Sequence, residues 1–237
     1  MKKIGIMQPY FFPYIGYFSL IKATDEFILF DTVQFIRHGW IERNRVLKYP
    51  DSWLYVKVPL APHDREITIM DIKVDNSQPW QDKMFAQLQP YKKSAPYYHQ
   101  VVALVKTVFE KDYDDIVSLN QACLKAVCLY LGIERELPIF SKMGLEIEAA
   151  HEPDEWALNI CKAIEGVDEY WNPPGGMEFF NRAKYANAGI TLQFQKPNLH
   201  AYDQRRQPFE PGLSIIDVMM FNDVETINTM LDDYELL

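Results

Sequence analysis

The chain has 237 residues, of which 48% are hydrophobic, and a formal net charge of −9. This length and apolar content suffice for a sizeable core and one or two domains. The acidic balance argues against general binding to nucleic acid or anionic membranes, while leaving room for a local basic site. Three scattered cysteines in apolar helical patterns do not make a disulfide framework, so we expect buried thiols at Cys123, Cys128 and Cys161.

No targeting or membrane segment stands out in the sequence. Met1 to Lys3 is basic, like the beginning of a signal peptide, but Gln8, Pro9 and Pro13 interrupt the apolar run that follows. No apolar stretch reaches the ~20 residues that a membrane span needs. We therefore expect a cytoplasmic protein.

The N-terminal segment, residues 1–47, carries the most distinctive pattern. An apolar run at 4–7 is followed by an aromatic loop with two prolines, an apolar segment at 17–21 and a second apolar run at 27–30. Short apolar runs bounded by turn residues suit buried parallel strands. We expect residues 4–7 and 27–30 to be neighbouring parallel strands in the sheet interior. The loop leaves the carboxyl end of the first strand, where open α/β sheets bind ligands.

The remainder of the chain alternates between strand and helix patterns. Residues 52–60 and 67–74 alternate in polarity and are expected to pair as a hairpin. Apolar spacing predicts further strands and helices. The predicted helices cover about 78–90, 97–110, 114–132, 153–165, 179–188 and 214–233, and the predicted strands 169–172 and 190–195.

This order predicts an α/β fold, with a mostly parallel sheet covered by helices, a β-hairpin and a helical insertion. No linker is visible, so we expect residues 1–237 to form one unit, with 78–132 as a helical subdomain within it.

Several rare dipeptides recur at characteristic spacings along the chain. They include Gln8-Pro9-Tyr10, Gly16-Tyr17, Asp31 to Phe35, Arg43-Asn44-Arg45, Tyr202-Asp203-Gln204 and Leu213 to Asp217. In these residues the chain resembles the WbqC-like family of bacterial proteins over nearly its whole length. The resemblance implies a connection with O-antigen and other surface-polysaccharide gene clusters.

The first loop also resembles that of nucleotidylyltransferases of the HIGH superfamily, which place a strand, a proline-containing loop and a glycine before a helix. That resemblance implies a similar (HUP-like) core. The superfamily uses two histidines to stabilise the transferring phosphate, whereas this chain has Tyr14 and Tyr17 around Gly16. Tyrosine carries no positive charge at neutral pH. Either adenylylation is absent, or nearby arginines supply the charge.

Three groups of polar residues are candidates for a site. Arginines at 37, 43 and 45 suit an anion, since guanidinium groups bind carboxylate or phosphate bidentately; a solvated basic turn is the alternative. Pro174-Gly175-Gly176 either cradles a phosphate or simply begins a helix. The candidate substrate-binding residues are Gln8, Tyr10, Tyr17, Gln34, Arg37, Trp40, Arg43, Asn44, Arg45, Gln204 and Ser214, and the candidate catalytic residues are Asp31, Tyr202 and Asp217.

We expect the two ends of the chain to share one cleft. Gln8 and Tyr10 would meet Tyr202 and Asp217 there, with Arg43 or Arg45 on the wall, because a pocket needs polar groups that converge from separate elements. In the alternative interpretation Ser214 and Asp217 cap a helix, and Asp31 caps a helix or closes a strand end.

Two functions follow from these observations. The first is a transferase that modifies a nucleotide-linked sugar or a related small molecule in surface-polysaccharide biosynthesis. The second is a non-catalytic ligand-binding or assembly partner of a glycan-pathway enzyme. The histidines show no metal-ligand spacing, so no metal site is expected, and the sequence indicates no particular cofactor.

Overall fold

A mostly parallel sheet forms the centre of the structure, a computed structural model that describes residues 1–50 and 52–237. The strands in chain order are β1 (Lys2–Met7), β2 (Glu26–Leu29), β3 (Arg43–Lys48), β4 (Ser52–Lys57), β5 (Val167–Asn172), β6 (Thr191–Pro197) and β7 (Tyr234–Leu236). The α-helices are α1 (Ile15–Ala23), α2 (Trp80–Leu88), α3 (Tyr98–Val108), α4 (Ile116–Leu131), α5 (Glu155–Ala163), α6 (Arg182–Asn187), α7 (Ile215–Phe221) and α8 (Val224–Asp232). The predicted α/β class is therefore confirmed.

The sheet has the strand order β2-β1-β5-β6-β7. β1 is parallel to β2, with Ile4 opposite Glu26 and Met7 opposite Leu29, which confirms that the two N-terminal apolar runs are neighbours. Of these two strands, β1 is interior and β2 lies at the edge of the sheet. Ile139 adds a single parallel bridge to β2 on its outer side. The expectation that both strands are interior was therefore wrong for β2.

Helices cover both faces of this sheet, as its apolar strands require. Alternation along the strands sends Phe27, Leu29 and Trp171 into one buried cluster with α1, α4 and α7. It sends Ile4 and Ile28 into a second cluster with α5 and α6. None of the helices in the described parts of the chain has the length and apolarity that a membrane crossing requires.

The hairpin pairs differently from the prediction. The antiparallel partner of β4 is β3, not residues 67–74, and Arg45 lies opposite Tyr55. Buried Val46 and Leu47 give β3 the apolar content of a strand, which the basic residues before them obscure in the sequence. Residues 67–74 instead form a 3₁₀ turn at Ile69–Asp71 and three isolated antiparallel bridges, from Thr68 to Gln34, from Lys73 to Asp115 and from Val74 to Leu60. Of the predicted pairing between 52–60 and 67–74, only the Leu60–Val74 bridge is present in the described residues.

Two further features concern the ends of elements. Gly132 ends α4 in the left-handed conformation, with φ of 71°, as the sequence predicts. β7 pairs antiparallel with β6, where only helices were expected. The cysteines are buried and free, as expected.

Candidate functional site

A cleft lies at the carboxyl edge of the sheet, where β1 and β5 end. From β1 the chain crosses to β2 on one side, while the next parallel strand, β5, joins on the other. The two crossovers diverge at this point, which is the topological switch point where open α/β sheets bind ligands. We call this cavity the switch-point cleft.

The switch-point cleft has a volume of about 530 Å³, which is in the range of small-molecule sites. Its walls come from the first loop, from β3, from the turn after β5 and from the segments before α7. The lining residues are Met7, Tyr10, Pro13, Tyr14, Trp40, Asn44, Arg45, Asn172, Pro173, Gly175, Gly176, Leu199 and Gly212.

The first loop supplies an aromatic wall. A Cβ on Gly16 would lie 2.5 Å from the Tyr14 ring, so only glycine lets this ring pack against the first turn of α1. Burial raises the pKa of the Tyr10 hydroxyl, with a smaller effect of Tyr14, and burial also raises the pKa of Tyr14. Both hydroxyls are therefore protonated at neutral pH and can donate hydrogen bonds.

A buried asparagine fixes the position of the first loop. Asn120, on α4, is fully buried and donates from its amide to the carbonyls of Pro9 and Ile41, both at 2.8 Å. Asn44, on β3, donates in the same way to Phe11 at 3.1 Å. These bonds hold the loop and the approach to β3 together, and so hold two walls of the cleft.

Arg45 provides the charge in the cleft. Its guanidinium lies 5.2 Å from the Trp53 ring centroid and 5.7 Å from that of Trp40, within cation–π range. One terminal nitrogen donates to the Gly212 carbonyl at 3.1 Å. The Nε atom is buried and makes no hydrogen bond to any residue that the structure describes. Arg45 is thus held in place by these contacts on the wall of the cleft.

Arg43 is occupied elsewhere. Its guanidinium donates to the carbonyls of His38 and Gly39 and lies 4.1 Å from the Tyr55 ring centroid. It does not line the cleft. Of the two arginines in β3, Arg45 is therefore the one that faces a cavity with Tyr10, which agrees with the expectation that one of them would.

The comparisons with known proteins cover nearly the whole chain but name no reaction. The model of the WbqC-like protein family matches residues 8–229. The chain belongs to this family. It is 27% identical over 225 residues to the uncharacterized protein Rv1507c of Mycobacterium tuberculosis, and the alignment covers 94% of each chain. No solved structure matches it significantly.

The C-terminal polar residues of this WbqC-like chain form a closed network. Asp217 is fully buried and accepts from Tyr202 at 2.5 Å, Tyr91 at 2.6 Å and Gln204 at 3.0 Å. Tyr91 in turn accepts from the Leu47 amide at 2.7 Å. The prediction that Tyr10 and Asp217 share one cleft was wrong, because the carboxylate is enclosed by its own donors.

The network nevertheless reaches the cleft through the backbone. Gln204 also bonds both backbone groups of Glu210, at 2.9 and 3.0 Å, and so closes the loop that leads to Gly212. Burial raises the pKa of Asp217 to about 6, against the opposing effect of its three donors. At neutral pH the carboxylate is therefore ionised and ties this loop to β3.

Three other candidates have structural partners. Ser214 is buried, caps α7 by accepting from Ile216 at 3.2 Å and donates to Phe12 at 2.7 Å, so the capping interpretation holds for it. Asp31 is buried and accepts from the Ser141 amide and hydroxyl. Tyr17 is buried and donates to the Gln8 carbonyl at 2.9 Å. None of the three lines the switch-point cleft.

The remaining candidates lie on the other side of the first loop. Gln8 and Gln34 line a second cavity, and Gln34 also donates to the Arg65 carbonyl at 2.9 Å. Arg37 is exposed and lies outside both cavities, 3.5 Å from the His63 carbonyl. The candidate residues are thus divided between two cavities and a buried network.

Some lining residues were not predicted. Asn172 and Gly212 reach the switch-point cleft from the end of β5 and from the loop before α7. Their positions at the ends of a predicted strand and before a predicted helix could have marked Asn172 and Gly212 as candidates. Their residue types alone do not indicate ligand binding. Within residues 1–50 and 52–237, no cluster of three or more His, Cys, Asp or Glu side chains is arranged to hold a metal ion.

Proposed function

We propose that this WbqC-like chain binds a nucleotide-linked sugar, or a related anionic small molecule, in the switch-point cleft and acts on it as a cytoplasmic transferase in surface-polysaccharide biosynthesis. The observation that carries the proposal is Arg45, whose guanidinium lies near two indole rings, donates to the Gly212 carbonyl and belongs to a residue that lines the cleft. A hydrogen bond from such a charged group to an anionic ligand contributes about 1.5–3 kcal/mol.

The rest of the cleft suits the other parts of such a ligand. Tyr10, Tyr14 and Trp40 offer aromatic surface to a planar base. When a sugar is transferred from a nucleoside diphosphate sugar to an acceptor hydroxyl, the bond from the sugar to the diphosphate breaks and negative charge develops on the departing nucleoside diphosphate. A fixed guanidinium stabilises that charge. The pathway is the one that the family resemblance implies.

The test is a thermal shift with uridine and thymidine diphosphate sugars. A ligand at one hundred times its Kd stabilises the protein by about 2.7 kcal/mol, or roughly 5–10 °C for a chain of this size. Arg45→Gln should abolish the shift. Arg43→Gln removes the same charge from the same strand outside the cleft and should retain it. Equal shifts in both variants would refute the anion-binding role of Arg45.

One observation favours the second function, a non-catalytic binding protein. The described residues that line the cleft include no Asp, Glu, His, Lys or Cys that could transfer a proton at neutral pH. Chromatography of a nucleotide sugar incubated with the protein and a crude glycan acceptor distinguishes the two. A transferase releases the nucleotide over time, whereas a binding protein returns the ligand unchanged.

A further inference from the structure

A second cavity is lined by Gln8, the residue that follows β1. Met7, the last residue of β1, packs against the buried cluster on one face of the sheet, whereas Gln8 shares its cavity with Phe30 and Trp156 of the cluster on the other face. Met7 lines the switch-point cleft, and Gln8 lines a cavity of about 510 Å³ beside β2 and α5. We call this cavity the Trp156 cleft. Its lining residues are Gln8, Phe30, Val33, Gln34, Ile36, Ala150, His151, Glu152, Pro153 and Trp156.

The Trp156 cleft has an apolar platform. The half-buried Trp156 ring packs on Phe30 with centroids 5.6 Å apart, and Ile36 stands beside them with 67% of its surface exposed. An exposed isoleucine beside an indole leaves apolar surface that water solvates poorly. The C–H face of a sugar ring is a surface that can cover it.

The polar groups around this platform are neutral or acidic. The Gln8 amide makes no hydrogen bond to any residue in the described part of the chain, although its backbone carbonyl accepts from Tyr17. An amide offers two donors and an acceptor, which matches adjacent hydroxyl groups. Gln34 contributes a second amide to the lining, with one N–H bonded to the Arg65 carbonyl and its amide oxygen left to accept.

The charges exclude a second anion site. No lysine or arginine is among the described lining residues, and Glu152 brings a negative charge whose partner is Lys184 on α6. This differs from the switch-point cleft, where Arg45 lines the wall. A phosphate or nucleotide would meet the Glu152 carboxylate here, and the Lys184 ammonium that pairs with this carboxylate is shared with Asp154 and Glu155.

We infer that the Trp156 cleft binds an uncharged sugar, with its ring on Trp156 and its hydroxyls at the Gln8 and Gln34 amides. This sugar site does not depend on the proposed function, since it consists of different residues in a different cavity.

The test is saturation-transfer difference NMR with free neutral sugars at millimolar concentration, namely glucose, galactose, N-acetylglucosamine, N-acetylgalactosamine and their disaccharides. At least one should receive saturation from the wild-type protein. Gln8→Ala together with Gln34→Ala should weaken its binding about tenfold or more, given the loss of two or more hydrogen bonds. Arg45→Gln, which acts in the other cleft, should leave it unchanged.

The outcomes separate the two proposals. Loss of nucleotide binding in Arg45→Gln with sugar binding retained supports both sites, whereas a sugar signal without nucleotide binding in the wild type supports the Trp156 cleft alone. Absence of signal from every sugar would overturn the inference. An undiminished signal in the Gln8→Ala, Gln34→Ala double variant, with its melting temperature unchanged, would overturn the inference as well.

Discussion

Removing one hydroxyl group from the Asp217 network should measurably destabilise the fold. Tyr91→Phe keeps the ring, which is fully buried and packs against Tyr49 and Phe221 at centroid distances of 6.0 and 5.8 Å. It deletes a bond to an ionised acceptor, worth about 1.5–3 kcal/mol. It also leaves the Leu47 amide buried without its acceptor, at a cost of about 1–3 kcal/mol.

The two effects share one hydroxyl, so we expect a loss of about 3 kcal/mol rather than their full sum. The free energy of unfolding is measured by urea denaturation at pH 7, and the melting temperature should fall by roughly 10 °C. Tyr98→Phe is the matched control, because its hydroxyl bonds only the neutral Gln89 amide, at 3.2 Å and at the edge of the core. The reasoning is refuted if Tyr91→Phe costs no more than Tyr98→Phe.

Three further variants test other parts of the structure by urea denaturation. Asn120→Ala should lower the free energy of unfolding by about 3 kcal/mol, because it leaves two buried carbonyls without a donor. A decrease of less than about 1 kcal/mol would contradict the proposed role of Asn120 in holding the first loop. Gly132→Ala should lower the free energy of unfolding by about 1 kcal/mol because its φ is 71°, since a Cβ there meets no atom within 4 Å. Gly175→Ala is the control, because a Cβ there also meets no atom and no positive φ is involved, so it should cost less. The folded pKa of Asp217, about 6, exceeds the unfolded value of about 3.9, so the folded state binds the extra proton and stability from this group falls as pH rises from about 4 to 6. The stability advantage of the wild type over Asp217→Asn should therefore shrink by about 2–3 kcal/mol between pH 4 and 7, and a constant difference would contradict it.

The parallel core could be predicted because its signals are local. Residues 4–7 and 27–30 are short apolar runs separated by a helix-length crossover, and such a unit has essentially one right-handed, parallel arrangement. The end of α4 at Gly132 was likewise predictable, because it depends on a single glycine. Burial on both faces leaves these segments little choice of partner.

The hairpin could not be predicted in the same way, because strand pairing is not local. Residues 52–57 alternate in polarity, but the alternation does not say whether the partner precedes or follows. The basic residues at 43 and 45 made β3 resemble a turn. Their aliphatic stems and guanidinium groups instead lie over Trp53 and Tyr55 of the partner strand, so the pairing supplies the environment that makes this a strand.

The position of the site could be predicted from local sequence, but the residues that face it could not. The first loop was located correctly because the end of a parallel strand is a place that topology alone marks as a site. Which polar residues face it depends on contacts far apart in the chain. Tyr202 and Asp217 looked equally available, but Tyr91, more than one hundred residues away, completes their enclosure.

The division between the two clefts is a consequence of strand geometry. Met7 ends β1 and packs against the buried cluster on one face of the sheet, whereas the next residue, Gln8, lines a cavity with Phe30 and Trp156 of the cluster on the other face, as side-chain alternation along an extended chain predicts. One loop after β1 therefore borders two cavities whose other walls come from different elements: β3 with Arg45 on one side, and α5 with Trp156 on the other. Arg45 lines the first cavity, whereas the described residues that line the second include Glu152 and no lysine or arginine, so an anionic ligand is favoured in the first cavity and an uncharged one in the second.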